Sequence, residues 1–171
     1  MKITSIILAA SVIFALASEA TAQSIREKSA LLKGDEAKRL AKQCSRESPS
    51  DFTSTWEPTL DDIVQMEKRL PQISSLKAKC CIEGQSVENP KQWYLQYAAL
   101  VWHGENIIYV SAIGREQPKD FTRDPSGRFI EVPSDNWKAF AIIICDGGNS
   151  WGVIYHPGTQ KFTDLSANGI G

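Results

Sequence analysis

Apolar positions change period near the middle of this chain. From Thr59 to Pro71, Ile63, Met66 and Leu70 recur at three- and four-residue spacing behind Thr59-Leu60-Asp61-Asp62, an approximate capping box, and Pro71 ends the run. This predicts a helix with one core-facing stripe and a charged, solvated outer face. Upstream, Gly34 interrupts a polar stretch, and Asp35 is placed to cap a helix through Glu36–Gln43 with Ala37, Leu40 and Ala41 on one face. Ser45–Thr55, SRESPSDFTST, is dense in serine, carries Pro49 and reads as loop.

After Cys80-Cys81 the apolar period becomes two. Trp93–Trp102 and Ile107–Ile113 flank His103-Gly104-Glu105-Asn106, a hairpin signature. Trp137–Cys145 holds the apolar run Ala139–Ile144, which predicts a central strand. Trp151–His156 and Lys161–Leu165 around Pro157-Gly158 predict a second hairpin. The sum is an α+β fold, with N-terminal helices packed on an antiparallel sheet of about four or five strands.

The connection Gly114–Asn136 is 23 residues long, holds three prolines and contains the turn Asp124-Pro125-Ser126-Gly127. Connections beyond about 12–15 residues are uncommon and often functional. Two readings stand: a decorated hairpin with a short strand at Phe129–Val132, or an open binding loop. Arg115, Lys119, Arg123 and Arg128 with Phe121 and Phe129 give it the basic and aromatic anchors of a partner surface.

Residues 1–22 are read as a leader. Lys2 precedes an apolar run, Ile6–Ala17, and Ala20-Thr21-Ala22 is a cleavage signal before Gln23. The run is shorter than the about 20 residues a membrane span requires, and no later stretch approaches that length. The chain then divides into a leader (1–22), a helical and loop extension (23–55) and an α+β domain (56–171). Loss of Lys2 and Glu19 with the leader leaves the net charge at −1. That balance lacks the basic footprint of a nucleic-acid binder.

Export also bears on Cys44, Cys80, Cys81 and Cys145, an even number in an oxidising compartment, read as structural disulfides that staple the fold. If the backbone at Cys80-Cys81 is extended, the two side chains diverge, so one reaches Cys44 and the other Cys145. A redox or metal site fits less well, for there is no C-x-x-C and the chain has two histidines.

Candidate chemistry is sparse. Asp146-Gly147-Gly148-Asn149-Ser150 suits a tight reversal after a buried strand. Asp146 and Asn149, with Asp164, also offer hard oxygens for calcium, though too few of them and without EF-hand spacing. His103 falls in a turn and His156 at a strand end, Ser150 stands beside Trp151, and Asp61-Asp62 belong to a helix start. There is no G-x-S-x-G, H-E-x-x-H or phosphate loop, so no catalytic group, metal or cofactor is expected.

Trp56-Glu57-Pro58-Thr59, Tyr97, Ile108-Tyr109-Val110, Asp146-Gly147-Gly148, Trp151-Gly152-Val153, Tyr155 and Asn168-Gly169, in that order, resemble a family of small exported bacterial proteins, largely uncharacterised, with W-x-P-T, D-G-G and terminal N-G motifs. The resemblance covers Trp56–Gly171; the long Gly114–Asn136 connection and the place of His156 depart from its pattern. It implies the fold and export and brings no activity. The expectation is a non-catalytic periplasmic or secreted protein that binds a protein or an envelope component, in the manner of an inhibitor or immunity protein. A small-ligand or glycan binder using Trp93, Trp102, Trp137 or Trp151 is the alternative, and a hydrolase with an unrecognised site the third.

Overall fold

The structure, a computed structural model, describes residues 26–123, 126–145 and 150–169, and of 121–123 and 129–131 the backbone alone. The expected leader lies outside them. The elements run β1 (Ser29–Leu32), α1 (Gly34–Leu40), β2 (Ser54–Thr55), α2 (Leu60–Arg69), β3 (Tyr94–Trp102), β4 (Glu105–Gly114), β5 (Lys119–Arg123), β6 (Phe129–Pro133), β7 (Trp151–His156) and β8 (Lys161–Ala167). Short 3₁₀ turns stand at Leu70–Ser75, Pro90–Gln92 and Asn136–Lys138.

The β3–β4 hairpin is the centre of the fold. His103 and Gly104, at φ 50° and 81°, make the two-residue connection whose left-handed backbone matches the twist of paired strands. The sheet has six strands in the order β1-β3-β4-β7-β8, with β2 beside β1 on the same edge of β3. It is antiparallel except for β1, which runs parallel to β3 from Ser29 opposite Leu95 to Leu32 opposite Ala98. The fold is thus α+β as expected, but a strand precedes the helices and the sheet is larger. Four residues in β1 and two in β2 are too few to display a period.

Alternation along the strands supplies two cores, not one. Leu95, Tyr97, Ile108, Val110, Val153 and Tyr155 face Ile63 and Met66 of α2 with Leu70 and Ile73 beyond it. Ala98, Leu100, Ile107, Tyr109 and Ile154 face Ala37 and Leu40 of α1 with Leu32 and Ala141. The two helices therefore cover opposite faces, and each large side chain buried there contributes roughly 1.5–3 kcal/mol.

The capping box of α2 forms as expected: the Thr59 amide donates to Asp62 Oδ2 at 2.8 Å, and the Asp62 amide to Thr59 Oγ1 at 3.2 Å. Its charged face is not wholly solvated, because Glu67 is buried and accepts from the Tyr97 hydroxyl at 3.0 Å. In α1 the N-cap is Lys33, not Asp35, which lies in the first turn where its charge still suits the helix dipole.

Two expectations are overturned. Ala139–Cys145 is not a strand but an irregular arm across the α1 side of the sheet. Side chains replace a neighbouring strand as its partners: Ala141 N donates to Glu36 Oε2 at 2.7 Å, Ile142 N to Gln96 Oε1 at 2.9 Å and Ile144 N to Gln43 Oε1 at 3.2 Å. Gln96 Nε2 in turn donates to the Trp137 and Phe140 carbonyls at 2.5 and 2.7 Å.

The disulfides are Cys44–Cys145 and Cys80–Cys81, not one from each vicinal cysteine to a distant partner. Cys80 and Cys81 bond to each other, so neither reaches a distant partner as the extended-backbone reading required. The Cys44–Cys145 bridge ties the end of the arm to the segment after α1.

Candidate binding site

Where β3 begins and β4 ends, the sheet borders the loop that follows the 3₁₀ turn at Leu70–Ser75, and between them lies a cleft of about 560 Å³. That is a volume usual for ligand sites. Its apolar lining includes Val87, Trp93, Ile113, Ile144, Trp151 and Leu165, and Glu88, Arg115 and Glu116 supply charge. Trp93 and Trp151 meet edge to face at 5.8 Å, a preferred aromatic geometry. The Arg115 guanidinium lies 5.2 Å from the Trp93 ring centre, and its Nη2 donates to the Glu88 carbonyl at 3.3 Å. The cleft thus combines apolar side chains with polar ones and exposed charges of both signs.

From this rim the chain leaves as the β5–β6 hairpin. Lys119 pairs with Pro133 and Arg123 with Phe129, forming a two-stranded sheet separate from the six-stranded one. Its base is closed by the Ser134 amide donating to the Pro118 carbonyl at 3.0 Å and by Asn136 Nδ2 donating to Asp120 Oδ2 at 2.9 Å. Of the two readings of Gly114–Asn136, the strand at 129–133 is the one realised.

Among the expected contact residues, Arg115 is on the cleft rim, Lys119 opens β5, and Arg128, just before β6, donates to Ser126 Oγ at 3.1 Å. Phe121, Arg123 and Phe129 belong to the hairpin strands, with side chains outside the described residues. Asp146 and Asn149 lie outside them entirely, as does the Asp-Gly-Gly corner. Asp164, the third oxygen considered for calcium, instead pairs with Lys79 Nζ at 2.5 Å. No group of three or more His, Cys, Asp or Glu side chains placed to hold a metal occurs among the described residues.

Trp93, Trp137 and Trp151 are core residues, 6%, 3% and 2% exposed, so none offers an open face to a sugar ring. Trp102 is partly exposed, but His103 stacks on one face at 4.1 Å and its Nε1 donates to Asp51 Oδ1 at 2.6 Å. That bond, with the one to His103, holds the Asp51 carboxyl below the ordinary aspartate range.

His156 has an arrangement that its sequence position does not announce. Its Nδ1 lies 3.4 Å from Glu105 Oε2 and its Nε2 2.9 Å from Thr163 Oγ1, the order of an acid, a base and a hydroxyl. The Thr163 hydroxyl, however, donates to Asp164 Oδ2 at 2.6 Å. Its single proton is thereby committed, so His156 Nε2 serves Thr163 as donor and not as base. Ser150 is likewise engaged, 5% exposed and donating to the Ala112 carbonyl.

The polar centre that sequence reasoning missed is Arg46, in the stretch read as loop. It is 5% exposed. Nε donates to the Tyr109 hydroxyl at 3.1 Å, Nη1 to Ser150 Oγ at 2.9 Å and to Asn168 Oδ1, and Nη2 to Ser111 Oγ at 2.7 Å. Gly152 makes room for it: a Cβ there would stand 2.9 Å from Arg46 Nε and 2.4 Å from the Tyr109 hydroxyl. The signal for this centre was Ser111, a polar residue on a strand otherwise apolar from Ile107 to Ile113.

No protein-family model matches the chain, and no curated protein or solved structure does.

Proposed function

We propose that this is a non-catalytic exported binding protein whose partner is another protein or an envelope component, held by the cleft and the β5–β6 hairpin together. The observation that carries the reading is their continuity: the rim residues Gly114, Arg115 and Glu116 lead directly into Lys119. A two-stranded hairpin leaves backbone donors and acceptors on its outer edges, to which an extended segment of a partner adds as a further strand. An apolar side chain of that segment enters the cleft, and Arg115, Glu116 and Glu88 select its charged neighbours. The A-x-A signal before Gln23 and the Cys44–Cys145 bridge support export. Among the described residues no helix is long and apolar enough to cross a membrane.

The test is capture from envelope extract by the folded protein and by two variants, Ser86→Trp, which fills the cleft, and Arg115→Glu, which reverses its rim charge. Both lose at least tenfold in captured partner while their melting curves stay close to wild type. Undiminished capture by both variants overturns the reading.

A further inference from the structure

Arg46 is a buried positive charge whose oxygen partners are all neutral: a phenol, two serine hydroxyls and an amide. Among the described residues no carboxylate stands within ion-pair distance of it. Hydrogen bonds to neutral oxygens engage four of its five N–H groups but leave its charge uncompensated, an expensive state away from water. Two further polar groups beside it have no partner among the described residues. Asn168 is fully buried, turns its oxygen to Arg46, and has no acceptor for its Nδ2; Ser45 Oγ is buried and also without a partner. The amide orientation is fixed by chemistry, since the opposite one would set two donors against each other.

Outside this cluster the surface is concave. A depression of about 410 Å³ is lined by Ser45, Arg46, Glu47 and Gly169 together with Cys44, Cys80, Cys81 and Cys145. We propose that it is a binding site for a small oxyanion, a carboxylate or a phosphate group. The ligand supplies the negative charge that Arg46 lacks, with Ser45 and Arg46 on the wall of the depression and Asn168 behind Arg46. Such a group suits the site because it combines charge with several acceptors, which chloride does not. Among the described residues Glu47 is the one acidic side chain on the wall, and it opposes the anion. This site is independent of the cleft and of the reading above.

The experiment follows binding to the folded, disulfide-intact protein by calorimetry with inorganic phosphate and with acetate, at constant ionic strength set with chloride. Saturable binding of at least one anion is expected, and the tighter of the two identifies the group recognised. Asn168→Asp places a carboxylate against Arg46 from within, so it weakens the binding at least tenfold. Glu47→Gln removes the opposing charge and tightens it severalfold. The proposal is overturned if neither anion binds, or if Asn168→Asp folds and binds as wild type does. Should Asn168→Asp not fold, Glu47→Gln decides alone, and unchanged affinity in it sinks the proposal.

Discussion

Tyr97 shows what one buried hydroxyl does. It lies on β3, donates to Glu67 of α2 and is 2.8 Å from Ser29 Oγ of β1, so three elements meet at one oxygen. Burial, reinforced by the Glu67 charge, raises its pKa well above the ordinary tyrosine value of 10.0. The unfolded chain ionises near that value while the folded one keeps its proton. The contribution of Tyr97 is therefore complete below pH 10 and declines as pH rises above it. Tyr97→Phe is expected to cost about 1–3 kcal/mol at neutral pH, since Glu67 stays buried with a donor removed. The difference in urea stability between wild type and variant should shrink above pH 10; a constant difference would show that the hydroxyl is not held neutral.

The arm Ala139–Cys145 shows how an apolar run escapes the sheet. Ala139–Ile144 has the composition of a buried strand, but a strand is defined by where its backbone bonds go, and these go to Glu36, Gln96 and Gln43. For Glu36 the Ala141 amide is the foremost reason its carboxyl lies below the ordinary glutamate range. Gln96, fully buried, serves two backbone groups of the segment and the Trp137 carbonyl just before it. Gln96→Leu fills similar space but orphans those groups, and is expected to destabilise the protein by about 3 kcal/mol or more. Hydrogen exchange at the Ile142 amide should quicken far more than at strand amides of β4. Equal protection in both proteins would mean that the arm is held by packing alone.

Across the whole molecule the two disulfides differ in what they constrain. Cys44–Cys145 spans 101 residues of sequence and Cys80–Cys81 one. On the loop-entropy account the long closure contributes about 4–5 kcal/mol and the vicinal one on the order of 1 kcal/mol. Replacing Cys44 and Cys145 by serine should therefore lower the urea midpoint several times more than replacing Cys80 and Cys81. Similar midpoints for the two double variants would contradict this assignment of roles.

Local order was legible wherever a period or a cap is written in consecutive residues. The capping box at Thr59, the stripe Ile63, Met66 and Leu70, and both hairpins around His103-Gly104 and Pro157-Gly158 follow from such short-range chemistry. The α+β class follows from the same runs. Only the tertiary structure decided that α1 and α2 cover opposite faces, that Arg115 stacks on Trp93 at the cleft, and that Arg46 is buried among Tyr109, Ser111, Ser150 and Asn168. It also decided the cysteine pairing. Those facts depend on partners tens of residues away, and sequence spacing carries no record of which distant groups satisfy one another once water is excluded.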